Sequence, residues 1–332
     1  MIAFSHALDE NRQEMEAYSM TQQTAARRRT GIGSRIKRDF RQHWMLYLMA
    51  LPMIAFYLLF HYQPMYGASI AFKDFIPKLG IQGSSWVGWK HFKSFFTDVY
   101  AGRIIRNTIT LSLEQLLFSF PAPIILAVMI NEVGKKWFKS TVQTMTYLPH
   151  FISLMVVCGL VSEFTNRNGL VNDIIAMFGG KRVTMLLKPA YFRPLYIISG
   201  IWQEVGWGSI VYLAAITGVD EQLYEAARID GVGKLKQIWY ITIPGILPTI
   251  VVMFLLKIGS IMDVGYEKII LMYNSSTYST ADVISTFVYR KGIQEYNWSY
   301  AAAVGLFNSA INFVLVVGAN ALSRRINETS LW

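Results

Sequence analysis

Long apolar stretches separated by polar loops dominate the chain. The stretches from Trp44 to Phe60 and from Ser140 to Ser162 contain no Asp, Glu, Lys or Arg. Because a bilayer core of about 30 Å requires roughly 20 apolar residues of helix, the pattern predicts six spans, at about 44–62, 104–130, 141–163, 192–216, 243–265 and 299–322. We therefore expect an all-α, polytopic membrane protein. Prolines inside these stretches, Pro149 among them, predict kinks rather than helix ends.

Six spans place both termini on the same side of the membrane. Basic residues cluster at 27–41 and recur in loops 131–140 and 217–242 and at Arg324 and Arg325. Since Lys and Arg near spans mark the cytoplasmic side, we predict cytoplasmic termini. The predicted organisation is a cytoplasmic tail with a basic flank at 1–43, a six-helix transmembrane domain at 44–323 and a cytoplasmic tail at 324–332. On the opposite side, residues 86–96 and 168–179 have the composition or spacing of short surface helices.

The composition supports a membrane protein and excludes several classes of function. Hydrophobic residues make up 53% of the chain and charged residues 16%, against roughly 25% charged in soluble domains. A net charge of +10 would suggest nucleic acid in a soluble protein, but basic cytoplasmic flanks explain it here and we expect no nucleic acid. With one cysteine, Cys158, an intramolecular disulfide is excluded. The histidines lack metal-ligand spacing and no G-x-x-x-x-G-K-[ST] motif is present, so we expect no catalytic residue, metal or cofactor in this chain.

Loop 217–242 has the pattern of two short helices around a glycine break. Asp220 is placed to cap the first helix, and Gly231 interrupts it. Two small residues follow Glu225, and small side chains on an exposed helix allow the close approach of another protein. Glu225 offers a carboxylate to a basic partner. A solvated, helix-forming loop is the alternative interpretation of the same residues.

The same loop resembles a signature of the permease subunits of binding-protein-dependent ABC importers: Glu-Ala-Ala, three residues, Gly, nine residues, Ile, one residue, Leu-Pro. The matching positions are Glu225, Ala226, Ala227, Gly231, Ile241 and Pro244, and the one departure is Ile243 in place of leucine, a mild apolar exchange. Further segments resemble the LplB-like permeases of carbohydrate importers, among them YLPHFIS (147–153), GWGSIVYLAAITGVD (206–220), ADVISTFVYRKG (281–292), AVGLFNSAINF (303–313) and SLW (330–332). The resemblance runs from about residue 44 to the end of the chain.

The resemblance implies a permease of the MalF/MalG-like fold in a bacterial cytoplasmic (inner) membrane. Such a permease forms a heterodimer with a second permease, two cytoplasmic ATPase subunits carry ATP and Mg, and an extracytoplasmic solute-binding protein delivers the oligosaccharide. Loop 217–242 would be the coupling loop, in which Glu225 makes the polar contact with the ATPase and Gly231 supplies the turn. The chain would be a transport subunit and not an enzyme.

Polar and aromatic groups near the middle of the spans are candidates for contact with a sugar, because sugars offer hydroxyl groups and C–H faces. These candidates are Gln115, Gln203, Trp207, Asn308 and Asn312. Asn and Gln side chains also join membrane helices to one another, which is the alternative role. Charged residues in or near spans are costly in a bilayer, so we expect them to be either functional or paired within the protein. In this chain they are Glu114, Glu204, Lys257 and Asp263.

An excess of basic residues in loops 63–103 and 163–193 suggests an acidic, alginate-like oligosaccharide, although lipid phosphates would suit the same charge. An ion-coupled secondary transporter is the alternative function. It predicts inverted repeats and an intramembrane carboxylate relay, and neither is evident in the sequence. A membrane enzyme or sensor would require clustered catalytic residues or an additional soluble domain.

Overall fold

The structure is a computed structural model that describes residues 40–327. The predictions for most of the N-terminal tail and its basic cluster, and for the terminal SLW segment, lie outside the described residues. The chain divides into two compact units, residues 1–67 and 68–332. In the first unit, α1 (Trp44–Tyr57) continues through a π-helical turn (Leu58–Tyr62) into the short α2 (Gln63–Met65).

The second unit is almost entirely helical. Its helices are α3 (Gly80–Gly83), α4 (Lys90–Thr97), α5 (Ala101–Glu114), α6 (Pro121–Glu132), α7 (Lys136–Tyr147), α8 (Leu154–Thr165), α9 (Leu170–Met177), α10 (Pro189–Thr217), α11 (Glu221–Ile229), α12 (Lys234–Gln237), α13 (Ile243–Gly259), α14 (Tyr266–Met272), α15 (Tyr278–Ala281), α16 (Ile284–Tyr289) and α17 (Trp298–Asn327). The surface helices expected near 86–96 and 168–179 are α4 and α9.

Four continuous helices within residues 40–327 are long and apolar enough to cross a membrane: Trp44–Phe72, Ala101–Glu132, Lys234–Gly259 and Trp298–Arg325. A bent pair, Lys136–Phe151 and Leu154–Met177, is either a fifth, broken span or a re-entrant loop. The remaining predicted span, 192–216, lies in α10, whose 29 residues measure about 44 Å at 1.5 Å per residue. The all-α polytopic fold is confirmed, and the count of six spans stays a prediction.

The predicted span 141–163 is interrupted and not merely kinked. The chain bends by 101° between the two helices of the pair. Pro149 lies in a 3-10 turn, Ile152 is extended (ψ 132°), and Ser153 then caps α8 by accepting a hydrogen bond from the backbone N–H of Val156. The expectation of a continuous helix through Pro149 was therefore wrong, because Ser153 starts a new helix in a new direction.

Three other prolines follow π-helical turns, whereas Pro52, Pro194 and Pro248 lie inside α-helices. The turns Leu58–Tyr62, Gln115–Ser119 and Ile238–Thr242 each end two residues before a proline, namely Pro64, Pro121 and Pro244. A proline has no N–H, and its ring clashes with the carbonyl four residues earlier in a regular α-helix. Local widening of the helix relieves both problems, so each helix continues. The helix that contains Pro244 accordingly begins at Lys234, earlier than the predicted 243.

α10 is the central helix of the second unit and packs against α6, α7 and α13. Its backbone approaches its neighbours through glycines. A Cβ atom on Gly206 would lie 2.0 Å from the carbonyl oxygen of Thr146, and one on Gly208 would lie 3.1 Å from Cγ of Pro123. These positions therefore require the smallest residue, as is common where membrane helices pack closely.

Three apolar clusters fill the second unit. Their most buried members are Leu111, Phe192, Val264 and Ile269 in the first, Phe95, Ile104, Ile284 and Phe287 in the second, and Ala127, Tyr212 and Ile246 in the third. The first and third clusters both include side chains of α10, so this helix connects two parts of the core.

A two-stranded ribbon precedes α4. Lys73–Asp74 pairs antiparallel with Ser85–Trp86. Asp74 contacts Nζ of Lys90 at 2.7 Å and Nε2 of His91 at 3.0 Å. The hydrogen bond from Lys90 holds the pKa of the Asp74 carboxyl below its usual value. The ribbon is thereby attached to α4.

A buried carboxylate joins α5, α10 and α16. Asp282 is fully buried; its Oδ2 lies 2.8 Å from Nη2 of Arg290, and its Oδ1 accepts a hydrogen bond from Thr286 at 3.0 Å. The Asn107 amide donates to the Asp282 carbonyl oxygen at 3.0 Å and accepts a hydrogen bond from Arg193 at 3.0 Å. The network therefore connects elements that are far apart in the sequence.

We predict that Asp282→Asn lowers the free energy of unfolding by about 3 kcal/mol, because it leaves the Arg290 guanidinium without its buried counter-charge. Thermal unfolding of the purified protein in detergent measures the effect. The control is Glu295→Gln, which removes an exposed i,i+4 partner of Lys291 and is expected to cost about 0.5 kcal/mol or less. Equal destabilisation by the two variants would contradict the role of the network.

Candidate functional site

A cavity of about 710 Å³ lies beside α10, and we call it the central cavity. It is lined from α10, from the π turn after α5, and from α8, α13 and α14. Its polar lining side chains are Gln115, Ser119, Tyr196, Gln203, Glu204, Tyr212, Lys257, Ser260, Tyr266, Glu267 and Lys268. The cavity therefore combines hydroxyl, amide and charged groups with aromatic rings.

Two of the five residues predicted to contact a sugar, Gln115 and Gln203, line this cavity. The Gln115 amide donates to the Tyr196 hydroxyl at 3.1 Å, and that hydroxyl donates to the Val264 carbonyl oxygen. The Gln203 amide donates to the Ile152 carbonyl oxygen at 3.2 Å, which attaches α10 to the break before α8. Both side chains also join helices, so the two interpretations of these residues are compatible.

Trp207, the third predicted residue, stacks on His150 with ring centroids 4.4 Å apart and an interplanar angle of 3°. Nδ1 of His150 lies 2.9 Å from Oε2 of Glu204, and Glu204 lines the central cavity. His150 thus connects the turn before α8 to α10. Trp207 supports the cavity wall through His150, although it is not among the lining residues.

Asn308 and Asn312 lie elsewhere. Their amides donate to the two carboxylate oxygens of Asp263, at 3.0 and 3.3 Å, and Oδ1 of Asn312 accepts the backbone N–H of Met262 at 3.0 Å. Asn308 lines a second cavity of about 560 Å³. In this structure the two asparagines bind the turn that follows α13. Their proposed contact with substrate stays a prediction.

The remaining charged residues of the spans differ in their pairing. Glu114 lies 3.8 Å from Nη1 of Arg193. Lys257 is half-buried and lines the central cavity without a counter-charge among residues 40–327. Within the same part of the chain, no cluster of three or more His, Cys, Asp or Glu side chains could hold a metal.

Lys268 is a further residue of this site that was not predicted from the sequence. It is 7% exposed and lines the central cavity. Its Nζ donates to the Tyr196 carbonyl oxygen at 3.0 Å and lies 4.9 Å from the centroid of the Tyr196 ring. Burial lowers the pKa of the Lys268 ammonium to about 8, against the opposing effect of the Glu204 charge. The available signal was a lysine at the start of the apolar run 269–272, directly after Glu267.

Loop 217–242 has the predicted helix–turn–helix form. The Asp220 side chain accepts from the backbone N–H of Gln222 at 2.9 Å and caps α11. At the other end, the N–H of Gly231 bonds to the Arg228 carbonyl, and the N–H of Val232 bonds to the Ala227 carbonyl. This pair of bonds is a Schellman motif, and it requires the left-handed conformation that Gly231 adopts (φ +71°).

The positions that match the permease signature differ in how far they are exposed to solvent. Glu225 and Ala226 are exposed, whereas Ala227 is 8% exposed. The Tyr224 hydroxyl lies 2.9 Å from the Thr242 hydroxyl, which is fully buried, so α11 is fixed to the helix that follows. Ile241 is half-buried and Pro244 exposed in that helix.

The loop also exposes large apolar side chains. Ile229 is 87% exposed, Leu235 83% and Trp239 69%. Exposed apolar groups that are concentrated around one short loop mark a surface for contact with protein or membrane. Loop 217–242 therefore combines a backbone fixed by hydrogen bonds with large apolar side chains that are exposed.

Comparison with known proteins identifies the family. Residues 119–328 match the family described as binding-protein-dependent transport system inner membrane component. The chain is 45% identical over 292 residues to the polygalacturonan/rhamnogalacturonan transport system permease protein YteP of Bacillus subtilis, covering 88% of this chain and 91% of the relative. It is 42% identical over 298 residues to protein LplB of the same organism, covering 90% and 92%.

A solved structure agrees with these relatives. The chain is 46% identical, with a TM-score of 0.84, to a chain in the crystal structure of a bacterial alginate ABC transporter in complex with alginate pentasaccharide-bound periplasmic protein. The match covers 90% of this chain and 100% of that one. This chain therefore belongs to the family of binding-protein-dependent transport system inner membrane components, and it is a multi-pass component of a transporter rather than an enzyme.

Proposed function

We propose that this protein is one of the two permease subunits of an ABC importer for oligosaccharides. In this proposal the central cavity is part of the translocation pathway, and loop 217–242 is the coupling loop that docks on a cytoplasmic ATPase. The sugar-related names of the relatives and the alginate transporter structure support an oligosaccharide as the substrate.

The observation that carries the proposal is the continuity of α10. One unbroken helix of 29 residues lines the central cavity with Tyr196, Gln203 and Tyr212. It ends at Thr217, shortly before Asp220 caps α11. A rigid helix transmits displacement along its axis, so movement of a docked α11 would change the shape of the cavity. ATP-driven closure of the partner ATPases would supply that movement.

The surface of the loop suits docking into a groove on another protein. Glu225 and Ala226 present a carboxylate and a small side chain side by side, and the exposed Ile229 and Leu235 add apolar area. The Schellman turn at Gly231 fixes the direction of the chain beyond α11. Because the backbone is already ordered, docking would cost little conformational entropy.

The other components follow from the same proposal. ATP and Mg would bind to two partner ATPase subunits, a second permease would complete the pathway, and a solute-binding protein would deliver the sugar on the outer side. The periplasmic protein in the alginate transporter complex supports the last component. Both termini would face the cytoplasm, with residues 1–43 and 324–332 as tails and 44–323 as the membrane domain.

We further propose that the oligosaccharide is acidic. Galacturonan and alginate, which appear in the names of the relatives, are polymers of uronic acids. The external loops carry an excess of basic residues, and such a field raises the local concentration of anions. The central cavity is lined by two lysines, Lys257 and Lys268, and by two glutamates, Glu204 and Glu267, so the argument from net charge rests on the loops.

Glu225→Lys is the first test. We expect uptake by the reconstituted complex, with its sister permease, ATPases and binding protein, to fall at least about tenfold, since a cation replaces the carboxylate in the docking contact. Basal ATP hydrolysis should persist but lose its stimulation by the loaded binding protein. Uptake of labelled oligosaccharide into proteoliposomes and phosphate release measure the two effects.

The matched control is Glu295→Lys, a charge reversal outside loop 217–242 that should leave coupling unchanged. Normal uptake by Glu225→Lys would contradict the docking role of the loop. Uptake by this chain alone, driven by an ion gradient, would instead favour a secondary transporter.

The substrate class is tested by competition. Unlabelled oligouronate should inhibit uptake of labelled oligouronate by the reconstituted complex at least about tenfold more effectively than a neutral oligosaccharide of the same length, because the neutral sugar lacks charge-assisted contacts. Equal inhibition by both competitors would contradict an acidic substrate.

A further inference from the structure

The ammonium of Lys268 lies in an unusual environment for a charged group. Lys268 belongs to α14, it is only 7% exposed, and it lines the central cavity. Of its three N–H groups, one donates to the Tyr196 carbonyl oxygen at 3.0 Å. The Tyr196 ring lies beneath the charge at 4.9 Å. Two donors thus have no oxygen partner within residues 40–327.

No carboxylate in the described part of the chain forms an ion pair with Lys268. Glu204 lines the same cavity but lies 2.9 Å from His150. Glu267 precedes Lys268 on α14 and also lines the cavity, but it is exposed and forms no ion pair with Lys268. Lys268 is therefore buried without an ion-pair partner among residues 40–327, which is costly unless an anion reaches it.

The space around the ammonium is open on the cavity side. A Cβ atom on Gly200 would lie 3.2 Å from Nζ of Lys268, so the absence of a side chain at Gly200 makes room for the charge beside α10. Tyr266, the first residue of α14 and two residues before Lys268, also lines the cavity. An aromatic ring and a cation on one short helix match the C–H face and the carboxylate of a uronate residue.

We propose that Lys268 binds a carboxylate of the oligosaccharide in the central cavity and is a specificity-determining residue for acidic over neutral sugars. The inference rests on the proposed function of the cavity as the translocation pathway. Lys268 is favoured over Lys257 because its ammonium is held in place by the Tyr196 carbonyl and ring. The substrate carboxylate takes the donors that the protein leaves unpaired.

A purely structural role for Lys268 makes a different prediction. If the side chain serves only to attach α14 to Tyr196 of α10, its loss should impair the transport of every sugar equally. If it binds a carboxylate, its loss should impair acidic substrates selectively. The ratio of the two uptake rates therefore separates the roles.

The experiment uses the complete importer in proteoliposomes, with oligouronate and its methyl ester as paired substrates of equal length, each at a concentration that saturates the binding protein. In Lys268→Met and Lys268→Gln, uptake of the acid should fall about tenfold or more. Uptake of the ester should change less than about twofold, so the acid-to-ester ratio falls. Lys268→Gln retains a donor for the Tyr196 carbonyl oxygen, and thermal unfolding monitors the integrity of both variants.

Lys291→Met is the matched control, since Lys291 pairs with Glu295 outside the cavity; its acid-to-ester ratio should equal that of the unchanged importer. Unchanged acid uptake in both Lys268 variants would overturn the inference, as would an equal loss for acid and ester. Absence of uptake of both substrates by the unchanged importer would contradict the proposed function itself, and the inference with it.

Discussion

The close approach of α10 to its neighbours is the constraint on which the rest of the structure depends. At Gly206 the backbone of α10 meets the Thr146 carbonyl at a distance that no side chain would permit, and a side chain at Gly208 would press on the ring of Pro123. These contacts bring α6 and α7 against one long helix. In water the hydrophobic effect would assist the packing of these helices. In lipid, helix packing depends on close van der Waals contact instead. Glycine is what makes that contact possible.

Polar groups buried in this apolar protein are matched to specific partners. Asp282 is satisfied by Arg290 and Thr286, and Asp263 by two asparagine amides. The Asp263 pairs join parts of the chain that are distant in sequence. Arg290 and Thr286 lie within eight residues of Asp282, and the link from Asp282 to distant helices runs through Asn107 and Arg193. Lys268 departs from this pattern, because its charge faces a cavity instead of a protein carboxylate. A site that passes a substrate must keep some groups unpaired for it, whereas a site that only holds helices together has no such need.

The two regions to which we propose functions are both connected to α10. Side chains of α10 line the central cavity together with side chains of α13 and α14, and loop 217–242 begins where α10 ends. A break in α10 would separate them mechanically. Pro194 lies near the start of α10 without ending it, whereas π-helical turns precede Pro121 and Pro244 in neighbouring spans.

The sequence by itself determined the features that depend on neighbouring residues. It predicted the all-α polytopic fold, the Asp220 cap and the glycine break at Gly231, because capping and turn geometry are decided within about six residues. It also selected Gln115 and Gln203. It did not predict the break at Ser153, because an apolar run with one proline is compatible with either a kink or a new helix.

Only the tertiary structure decided which polar residues share a cavity. Gln115, Gln203 and Lys268 come together there, whereas Asn308 and Asn312, chosen by the same criterion, bind Asp263 instead. Their positions within spans were equivalent in the sequence. The difference arises from the rotation of each helix and from the neighbour it packs against, and these are set by contacts between residues far apart in the chain.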